Sequence, residues 1–442
     1  MIHRWSNEGP QAAAAVEVDR MERRNVNGER KLLITFLCEQ YPPIVWDGAG
    51  IYTAVLASAL ATIGHDVHVI CAQGHRVVDE VVDGVHVHRR PLLRVPISRA
   101  LGKYARFLTG PNYPRDSISL RMSLTLSYAA YLRQTGLHPD VIETQDGETR
   151  ALMQVVTRSC PVVVHMHAPT MLTLRLASPH LSVRGRIADR LDRITSDHAT
   201  VVTSPSQLLV DTVRPYGWLR RQDVTIVPNP FDASPWAAVS GVGRTGPVVA
   251  TVGRLEPNKG IDVLLDALAI LAARDIDAKL ILAGSSSGHI DGVPTGRWLE
   301  RRANELNVPV VFTGHVGQRE LADVYGQARV VAVPSRFESF SIAAVEGMAA
   351  GRPVVTTSRT GIAPFVQDWH AGDVVPPEDP KALADALAAY LTDPKLAETV
   401  GANGRAGAAR LDPLQIARDR EAVYREAVAR FQHDKPAEDA QH

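Results

Sequence analysis

The chain has 442 residues, a length that suits two domains of ordinary size. Hydrophobic residues make up 45% of it, enough for buried cores, and a charged content of 22% is typical of a soluble globular protein. The charges of its 48 basic and 48 acidic residues cancel. The net charge therefore gives no reason to expect binding to nucleic acid or to an anionic membrane.

The cysteines and the N-terminus bear on the compartment. Three cysteines (Cys38, Cys71 and Cys160) lie in or beside apolar runs without a C-x-x-C metal spacing, so we expect buried thiols in a reducing cytosol and no metal site. Residues 1–29 lack a steady period and the apolar core of a signal peptide, which predicts a disordered arm. No stretch approaches the ~18 apolar residues of a spanning helix. We expect a cytoplasmic protein without a transmembrane segment.

The first predicted elements form a βαβ unit, which requires a parallel sheet. A strand at 31–37 precedes a helix at 51–63 and a strand at 64–71. Gly48 and Gly50, just before this helix, would let the backbone approach a ligand closely, although a single GxG also suits a plain turn. The pattern is not the dinucleotide fingerprint, because no third glycine follows and no acidic residue ends the second strand.

A basic stretch follows a predicted hairpin. The hairpin spans 81–90, with Asp83-Gly84 at its turn. Residues 89–106 then carry six basic side chains and no acidic one (Arg89, Arg90, Arg94, Arg99, Lys103 and Arg106). The stretch is either a solvated loop and helix or a contact for an anionic acceptor or a membrane surface.

Two histidines mark the end of a later strand. After a helix at 117–134 and a strand at 139–144, residues 161–169 form a strand with His165 and His167 near its carboxyl end. Residues two apart in a strand point to the same face, and ligands of open parallel sheets bind outside the carboxyl ends. A lone histidine on an apolar strand is more often structural, but its place at the strand end favours a functional role for His167.

The alternation of strands and helices begins again in the second half, beyond a domain boundary at residue 227. Predicted strands lie at 247–252, 279–284, 309–314, 328–333 and 353–356, the last of the sheet, and helices at 261–274, 320–327, 342–350 and 381–391. This half is therefore a second doubly wound domain. A final helix at 413–431 precedes a loose polar tail at 433–442.

Two stretches of the second half suit a ligand that carries both phosphate and sugar. Arg254 and Lys259 lie five residues apart in a strand-to-helix loop and could clamp a diphosphate, although a solvated loop pair is the alternative. The stretch 334–357 runs from a strand through a polar turn into a short helix, whose free N–H groups and dipole favour an anion. Glu338 and Glu346 flank that point. Carboxylates would repel phosphate, so we expect them to accept hydrogen bonds from hydroxyl groups.

Further motifs make a set with these: Gly253-Arg-Leu, Lys259-Gly, Glu338 and Glu346 as an E-x7-E element, Asn229 to Asp232, Tyr41-Pro-Pro, Gly64-His-Asp-Val and Ala371 to Pro376. In this set the chain resembles the retaining GT-B glycosyltransferases of the glycosyl-transferase group 1 (family 4-like) class. The resemblance covers roughly residues 31–430. It implies an α/β fold of two Rossmann-like doubly wound parallel-sheet domains facing across a cleft. The N-terminal domain (30–226) would bind the acceptor and the C-terminal domain (227–412) the nucleotide sugar, and a helix at 413–432 would return to the first domain.

The resemblance also implies roles for individual residues. Arg254 and Lys259 would bind the donor diphosphate, Glu346 the ribose hydroxyls, and Glu338 hydroxyls of the donor sugar. The remaining donor-site residues would be Gly48, Gly50, Gly253, His315, Val316, Ser339, Phe340 and Ser341, with the base beside His315 and Val316. His167 would contact the sugar near the reacting carbon, which makes the catalytic set His167, Glu338, Arg254 and Lys259.

Two departures from the family pattern concern the donor side. The usual Glu-Gly-Phe-Gly reads Glu338-Ser-Phe-Ser341 here, which narrows the turn and adds hydroxyls near the phosphates. A later Gly-Gly with a nearby Glu is reduced to Thr360-Gly361, so we assign no site there.

The expected reaction is metal-independent, front-side transfer of a sugar, with retention, from a nucleoside diphosphate donor, UDP-linked, to a hydroxyl of a small molecule. No cofactor beyond the nucleotide sugar is expected. The alternatives are a sucrose- or trehalose-type synthase acting on a free sugar, a nucleotide-sugar 2-epimerase, and a non-catalytic sensor. We expect no nucleic-acid partner and a monomer or homodimer, and peripheral membrane contact through 89–106 stays open.

Overall fold

The computed structural model describes residues 28–44, 48–72, 75–93, 118–169, 171–172, 181–220 and 222–434. The predicted arm, except for Gly28 and Glu29, lies outside these residues, as do the last eight residues of the predicted tail. The same holds for four of the six residues of the basic stretch, Arg94, Arg99, Lys103 and Arg106. The three cysteines are buried, as predicted.

The first domain is an eight-stranded sheet in the order β3-β4-β2-β1-β5-β6-β7-β8. Its strands are β1 Leu33–Cys38, β2 Asp66–Cys71, β3 Val78–Val82, β4 Val85–Arg89, β5 Val141–Gln145, β6 Val162–His165, β7 Val201–Ser204 and β8 Val224–Ile226. Its helices are α1 Gly48–Thr62, α2 Ile118–Gln134, α3 Leu152–Thr157, α4 Val183–Asp197 and α5 Gln207–Val213. All neighbouring strands are parallel except the predicted hairpin β3–β4, whose turn residues Asp83 and Gly84 have φ of 50° and 79°.

The second domain is a six-stranded parallel sheet in the order β13-β10-β9-β14-β15-β16, with β11–β12 as a separate small hairpin. Its strands are β9 Val248–Val252, β10 Lys279–Ala283, β11 His289–Ile290, β12 Val293–Pro294, β13 Val310–Gly314, β14 Val330–Val333, β15 Val354–Thr357 and β16 Gly372–Val375. The helices are α6 Ile261–Ala272, α7 Thr295–Glu305, α8 Gln318–Gln327, α9 Ile342–Ala349, α10 Ala363–Asp368, α11 Pro380–Thr392, α12 Pro394–Ala408 and α13 Pro413–His433.

The prediction that the sheet ends at 353–356 was wrong, because β16 pairs with β15 from Gly372 to Val375. Gly372 has φ of 152° and lies directly against the backbone of Val354, where an added Cβ would come within 1.8 Å of the carbonyl oxygen. In the sequence this glycine looks like a turn residue, and only its partner strand shows that it begins a strand. Helices α7 and α12 were missed as well, since α12 carries three glycines that local propensity places outside helices.

Helix α13 packs against the first domain, not the second, through an apolar face that joins the core around β1 and α1. A buried polar cluster secures it. Tyr424 donates a 2.6 Å hydrogen bond to Glu143 on β5, and the Arg420 guanidinium lies 3.3 Å from the same carboxylate. Arg420 also donates to Thr203 and to Tyr52, and Tyr52 donates to Glu143 at 2.7 Å. Burial raises the pKa of Glu143 to about 8.

The two chain crossings between the domains lie side by side. The amide of Phe231, in the first crossing, donates a 2.8 Å hydrogen bond to the carbonyl of Leu411, in the second. Asn229 lies in the first crossing, with its Oδ1 3.0 Å from Nε2 of the buried His165. One junction between the two domains therefore lies next to the carboxyl end of β6.

Candidate active site

The loops after β9 and β14 meet at the carboxyl edge of the second sheet. They form a pocket lined by Thr251, Gly253, Arg254, Lys259, Ser335 and Glu338. Gly260 has φ of 64°, and a Cβ there would come within 2.1 Å of the carbonyl oxygen of Pro334. A side chain at this position would push the two loops apart. The structure thus brings the predicted diphosphate loop and the predicted polar turn together.

Lys259 and Glu338 pair inside this pocket. The Lys259 Nζ lies 2.9 Å from Oε1 of Glu338, and the Ser335 hydroxyl donates to the same oxygen at 2.6 Å. Burial acts to raise the pKa of Glu338, but the Lys259 ammonium and the neighbouring hydroxyls hold it below its ordinary value. Glu338 is therefore ionised at neutral pH and fixes the lysine. Arg254 is half exposed, with its guanidinium 3.5 Å from Glu256, so it can turn toward an incoming anion.

The turn between the two glutamates has a strained backbone. Ser341, the residue before α9, has φ of 103° and ψ of 92°. Side chains other than hydrogen disfavour this region, at a cost of about 1–3 kcal/mol. The usual family residue here, glycine, would carry no such cost. The first N–H groups of α9, which begins directly after Ser341, have no intrahelical acceptors.

Glu346 projects from α9 and has a partner that sequence reasoning missed. The Tyr325 hydroxyl, on α8, donates a 2.8 Å hydrogen bond to Glu346 Oε2. Burial raises the pKa of Glu346 to about 7, while the Tyr325 hydrogen bond acts to lower it. Tyr325 is itself buried, with its ring edge-on to Trp236 at 5.3 Å. One oxygen of Glu346 is thus held from behind, and the other can meet a ligand.

The first domain forms the opposite side of the cleft, facing the start of α9. Gly48 and Gly50 lie in the first turn of α1, not in the loop before it as predicted, because the helix begins three residues earlier. A Cβ at Gly48 would be 3.1 Å from Cδ1 of Ile342, the first residue of α9. The helix starts of the two domains therefore face each other. The Ser206 hydroxyl, at the start of α5, also bridges the cleft and donates to the carbonyl of Ser339 at 2.7 Å.

Gly361, to which no site was assigned, supports this contact. An added Cβ would be 2.0 Å from the Ser339 carbonyl oxygen and 2.6 Å from the Ser206 hydroxyl. Phe340, in the same turn, is buried, and its ring packs edge-on against Phe365 at 5.9 Å. The turn from 338 to 341 is thus supported from below by packing and held at its tip by the other domain.

His165 and His167 have different surroundings. His165 ends β6 and is fully buried, with its Nδ1 2.9 Å from the Thr203 hydroxyl and its ring stacked on Tyr52 at 4.4 Å. It is a satisfied core histidine. His167 lies two residues beyond the strand, with its Nε2 buried and without a hydrogen-bond partner among the described residues. Burial, assisted by the nearby Arg150, lowers the pKa of His167 to about 3, so its imidazole is neutral at physiological pH.

Asp146 is the residue beside His167 that sequence reasoning overlooked. It follows β5 directly, on the strand adjacent to β6, and it accepts hydrogen bonds from the backbone amides of His167 and Ala168. Burial raises the pKa of Asp146 to about 7, and its Oδ2 has no partner among the described residues. The signal was available, because Asp146 comes two residues after a predicted strand, 139–144, at the same sheet edge as His167.

The predicted base-binding residues lie at the far side of the second sheet. His315 and Val316 follow β13, which is separated from β9 by β10. Two strand spacings amount to roughly 10 Å. His315 is exposed and Val316 is half-buried against the core. This distance from the Lys259 pocket suits the far end of a nucleotide.

Two residues of the basic stretch that could contact a membrane, Arg89 and Arg90, lie among the described residues. Arg89 pairs with Glu80 at 2.7 Å and donates to the carbonyl of Tyr41, and the buried Arg90 pairs with Asp79 at 2.7 Å. These two cations of the basic stretch are therefore engaged within the domain. Among the described residues, no helix combines the length and apolar character needed to cross a bilayer.

Comparison with known proteins identifies relatives of both halves. A family model described as "Glycosyl transferases group 1" matches residues 234–407, and one described as "Glycosyl transferase 4-like domain" matches residues 47–230. A glycogen synthase from Mycobacterium tuberculosis is 28% identical over 380 residues, 81% of this chain and 86% of its own. A D-inositol 3-phosphate glycosyltransferase from Thermobispora bispora is 28% identical over 413 residues, 88% of this chain and 92% of its own.

Solved structures show the same architecture. Sucrose-phosphate synthase from Thermosynechococcus elongatus superimposes with a TM-score of 0.73 at 24% identity, over 90% of this chain and 100% of its own. An Anabaena protein in complex with UDP-glucose superimposes with a TM-score of 0.63 at 20% identity, over 89% and 99%. At these identities the likeness concerns the fold, and it confirms the predicted pair of facing Rossmann-like domains.

Proposed function

The chain belongs to the group 1 glycosyltransferases, and on this premise we propose that it transfers a sugar from a nucleoside diphosphate donor to a hydroxyl acceptor, with retention of the anomeric configuration. The observation that carries the proposal is the pocket in which Lys259 and Glu338 pair, next to the turn that leads into α9. A cation and free N–H groups suit a diphosphate, and an ionised carboxylate beside them suits sugar hydroxyls.

The residues act mainly on the leaving group. As the bond to the sugar breaks, negative charge develops on the diphosphate, where Lys259, Arg254 and the first N–H groups of α9 stabilise it. These groups supply the charge for which some transferases use a metal, so the proposal is metal-independent. Lys259 is already oriented by Glu338 at 2.9 Å, so less reorganisation is needed when the donor binds.

The rest of the donor extends along the sheet edge. Glu346, oriented by Tyr325, would accept hydrogen bonds from the ribose, and the base would reach the backbone at His315 and Val316. The neutral imidazole of His167 can hydrogen-bond the sugar without repelling an oxocarbenium-like centre. Asp146, held by the amide of His167, would accept a hydrogen bond from a hydroxyl at the same place.

A front-side reaction fits these positions. In it the acceptor hydroxyl approaches from the side of the departing diphosphate, and a phosphate oxygen takes the hydroxyl proton as the new glycosidic bond forms. Proximity and charge stabilisation supply the rate. We propose uracil as the base of the donor, in keeping with the UDP-glucose complex of the Anabaena protein. The proposed acceptor is a small molecule, in a cytoplasmic, monomeric or homodimeric enzyme.

The second candidate is a synthase of the sucrose or trehalose type, which differs only in using a free or phosphorylated sugar as acceptor. Sucrose-phosphate synthase has the same fold, which favours it. A nucleotide-sugar 2-epimerase is the third candidate, and it needs no acceptor at all.

Two steps test the proposal. Thermal-shift measurements with UDP, GDP, ADP and dTDP identify the base that the protein binds. The protein is then incubated with a nucleotide sugar of that base and with polyols, sugars and sugar phosphates as acceptors. Transfer with the donor's anomeric configuration in the product, read by proton NMR coupling, is the expected result. Stabilisation by no nucleotide, or an inverted product, contradicts it. Formation of the 2-epimer without acceptor would instead identify an epimerase.

A further inference from the structure

A cluster of histidines and aspartates lies far from the cleft, on the edge of the first sheet. It consists of Asp66 and His68 on β2, His86 and His88 on β4, and Asp79 on β3. The register pairs His68 with His86 and Asp79 with His88. Alternate residues share a face, so all five side chains project from one face, opposite the buried valines of the same strands. Asp66 begins β2, so the cluster lies toward the amino end of the parallel strands, away from the active-site edge.

Hydrogen bonds within the cluster assign the protons. His88 Nδ1 lies 2.6 Å from Oδ1 of Asp79, a distance that requires it to donate. A neutral imidazole carries one N–H, so His88 Nε2 is then an acceptor. His68 Nδ1, 2.9 Å away, must donate to it. If His68 is neutral as well, its remaining nitrogen, Nε2, carries a lone pair.

That lone pair points at another acceptor. His68 Nε2 lies 3.2 Å from Oδ1 of Asp66, and His86 Nε2 lies 4.0 Å from the same oxygen. All three atoms lie within 4.8 Å of one another. An ionised carboxylate oxygen and an unprotonated nitrogen repel at such a distance, and a cation between them removes the repulsion.

We propose that Asp66, His68 and His86 bind a divalent metal ion of the zinc class. Two imidazoles and a carboxylate are ligands of the type that zinc prefers, with a fourth position for water. Ligand distances of 2.0–2.2 Å imply a spacing of roughly 3.3 Å between ligand atoms in a tetrahedral site. The Asp66–His68 pair already has that spacing. The ring of His86, whose side chain is 49% exposed, can turn inward to complete the site.

The hydrogen bonds around His68 are of the kind that usually hold a metal-bound histidine in place. A ligating imidazole commonly donates its other N–H to an acceptor, which fixes its tautomer and orientation. Here His68 donates to His88, which donates to Asp79, and Asp79 is also bound by Arg90 at 2.7 Å. An added proton on the cluster is the competing explanation.

The test uses the full-length, tag-free protein, stripped with a chelator and titrated with Zn²⁺ and with Co²⁺ as a spectroscopic probe. We expect one equivalent to bind, with the absorption bands of tetrahedral Co²⁺ and a rise of a few degrees in Tm. Asp66→Asn and His86→Ala should abolish the Co²⁺ bands. Asp79→Asn keeps all three ligands and should weaken affinity about 10–100-fold. His289→Ala, an exposed histidine in the other domain, is the matched control and should bind as the wild type does.

Tm in chelator shows whether the variants are folded without metal. The proposal is overturned if the wild-type protein does not bind one equivalent of metal. That result is expected if the cluster takes up a proton instead of a metal ion. Folded Asp66→Asn and His86→Ala proteins that bind like the wild type overturn it too, because the metal would then lie elsewhere. The readout is independent of glycosyl transfer.

Discussion

The Lys259 ammonium lies 2.9 Å from the Glu338 carboxylate, although the two residues come from different loops of the second sheet. The pair is only partly exposed, with side-chain exposures of 22% and 13%. Each residue prepares the other to bind the donor, because Glu338 orients the Lys259 ammonium and Lys259 keeps the Glu338 carboxylate ionised.

Lys259→Ala should lower kcat/KM by about 10²–10³-fold, since it removes a charge at the leaving group and leaves Glu338 unpaired. Glu338→Ala should lose most activity as well. Lys279→Ala removes an exposed lysine at the amino end of β10 and should leave the rate unchanged. Initial rates of UDP release with acceptor, together with circular dichroism to verify folding, measure the effect. Near-wild-type turnover of folded Lys259→Ala or Glu338→Ala would contradict the assigned site.

Ser341→Gly should stabilise the protein by about 1 kcal/mol, because glycine adopts the φ of 103° found at this position without strain. Ser339→Gly, two residues earlier and without a positive φ, should instead destabilise it by up to about 1 kcal/mol through the greater freedom of the unfolded chain. Urea unfolding midpoints compare the two. If both changes destabilised the protein equally, the contacts of the Ser341 side chain would stabilise the fold by more than the strained backbone at this residue destabilises it.

Tyr325→Phe should weaken nucleotide binding about tenfold with little change in kcat, because Glu346 loses the hydrogen bond that orients it and opposes its protonation. The loss should be greatest at and just above pH 7, where Glu346 is ionised in the wild type but keeps its proton in the variant, and it should shrink at lower pH, where both proteins carry the proton. Tyr390→Phe is the matched control, since it removes a tyrosine–carboxylate bond of 2.6 Å to Asp373 outside the site. Calorimetric titration with nucleotide from about pH 6 to pH 8 separates them. Equal affinity in both variants would exclude a role for Tyr325 in donor binding.

Asp146→Asn should change how stability depends on pH. Burial raises the pKa of Asp146 to about 7, whereas an unfolded aspartate has a pKa of about 3.9. Between these values the folded protein binds the additional proton, so this group makes the free energy of unfolding fall as pH rises from about 4 to about 7. The variant lacks this decline, so its stability relative to the wild type should increase across that window, by on the order of a few kcal/mol.

Denaturant midpoints at several pH values in that window measure the difference for Asp146. Asp277→Asn, at an exposed position, provides the reference and should run parallel to the wild type. Parallel curves for Asp146→Asn would mean that the Asp146 carboxyl keeps an ordinary pKa in the folded protein.

The sequence by itself determined the two doubly wound sheets and half of the candidate site. Strand and helix periods are local, so β1, β2 and the β3–β4 hairpin were predictable from neighbouring residues. The loop from Gly253 to Lys259 and the pair Glu338 and Glu346 were also readable, because ligands of parallel sheets gather at strand ends. The strand β16 and the helix α12 were not, since their signals depend on glycine contacts and on partners elsewhere in the chain.

Only the tertiary structure decided which residues complete the site. Tyr325 reaches Glu346 from another helix, Asp146 meets His167 across adjacent strands, and Ser206 binds Ser339 from the opposite domain. Each is a contact between residues far apart in sequence, and no local pattern encodes it. The same reason separates His165, at the end of β6, from His167, two residues beyond it. Their spacing is identical to that of any strand pair, but burial and hydrogen bonding satisfy His165 and leave His167 Nε2 without a partner among the described residues.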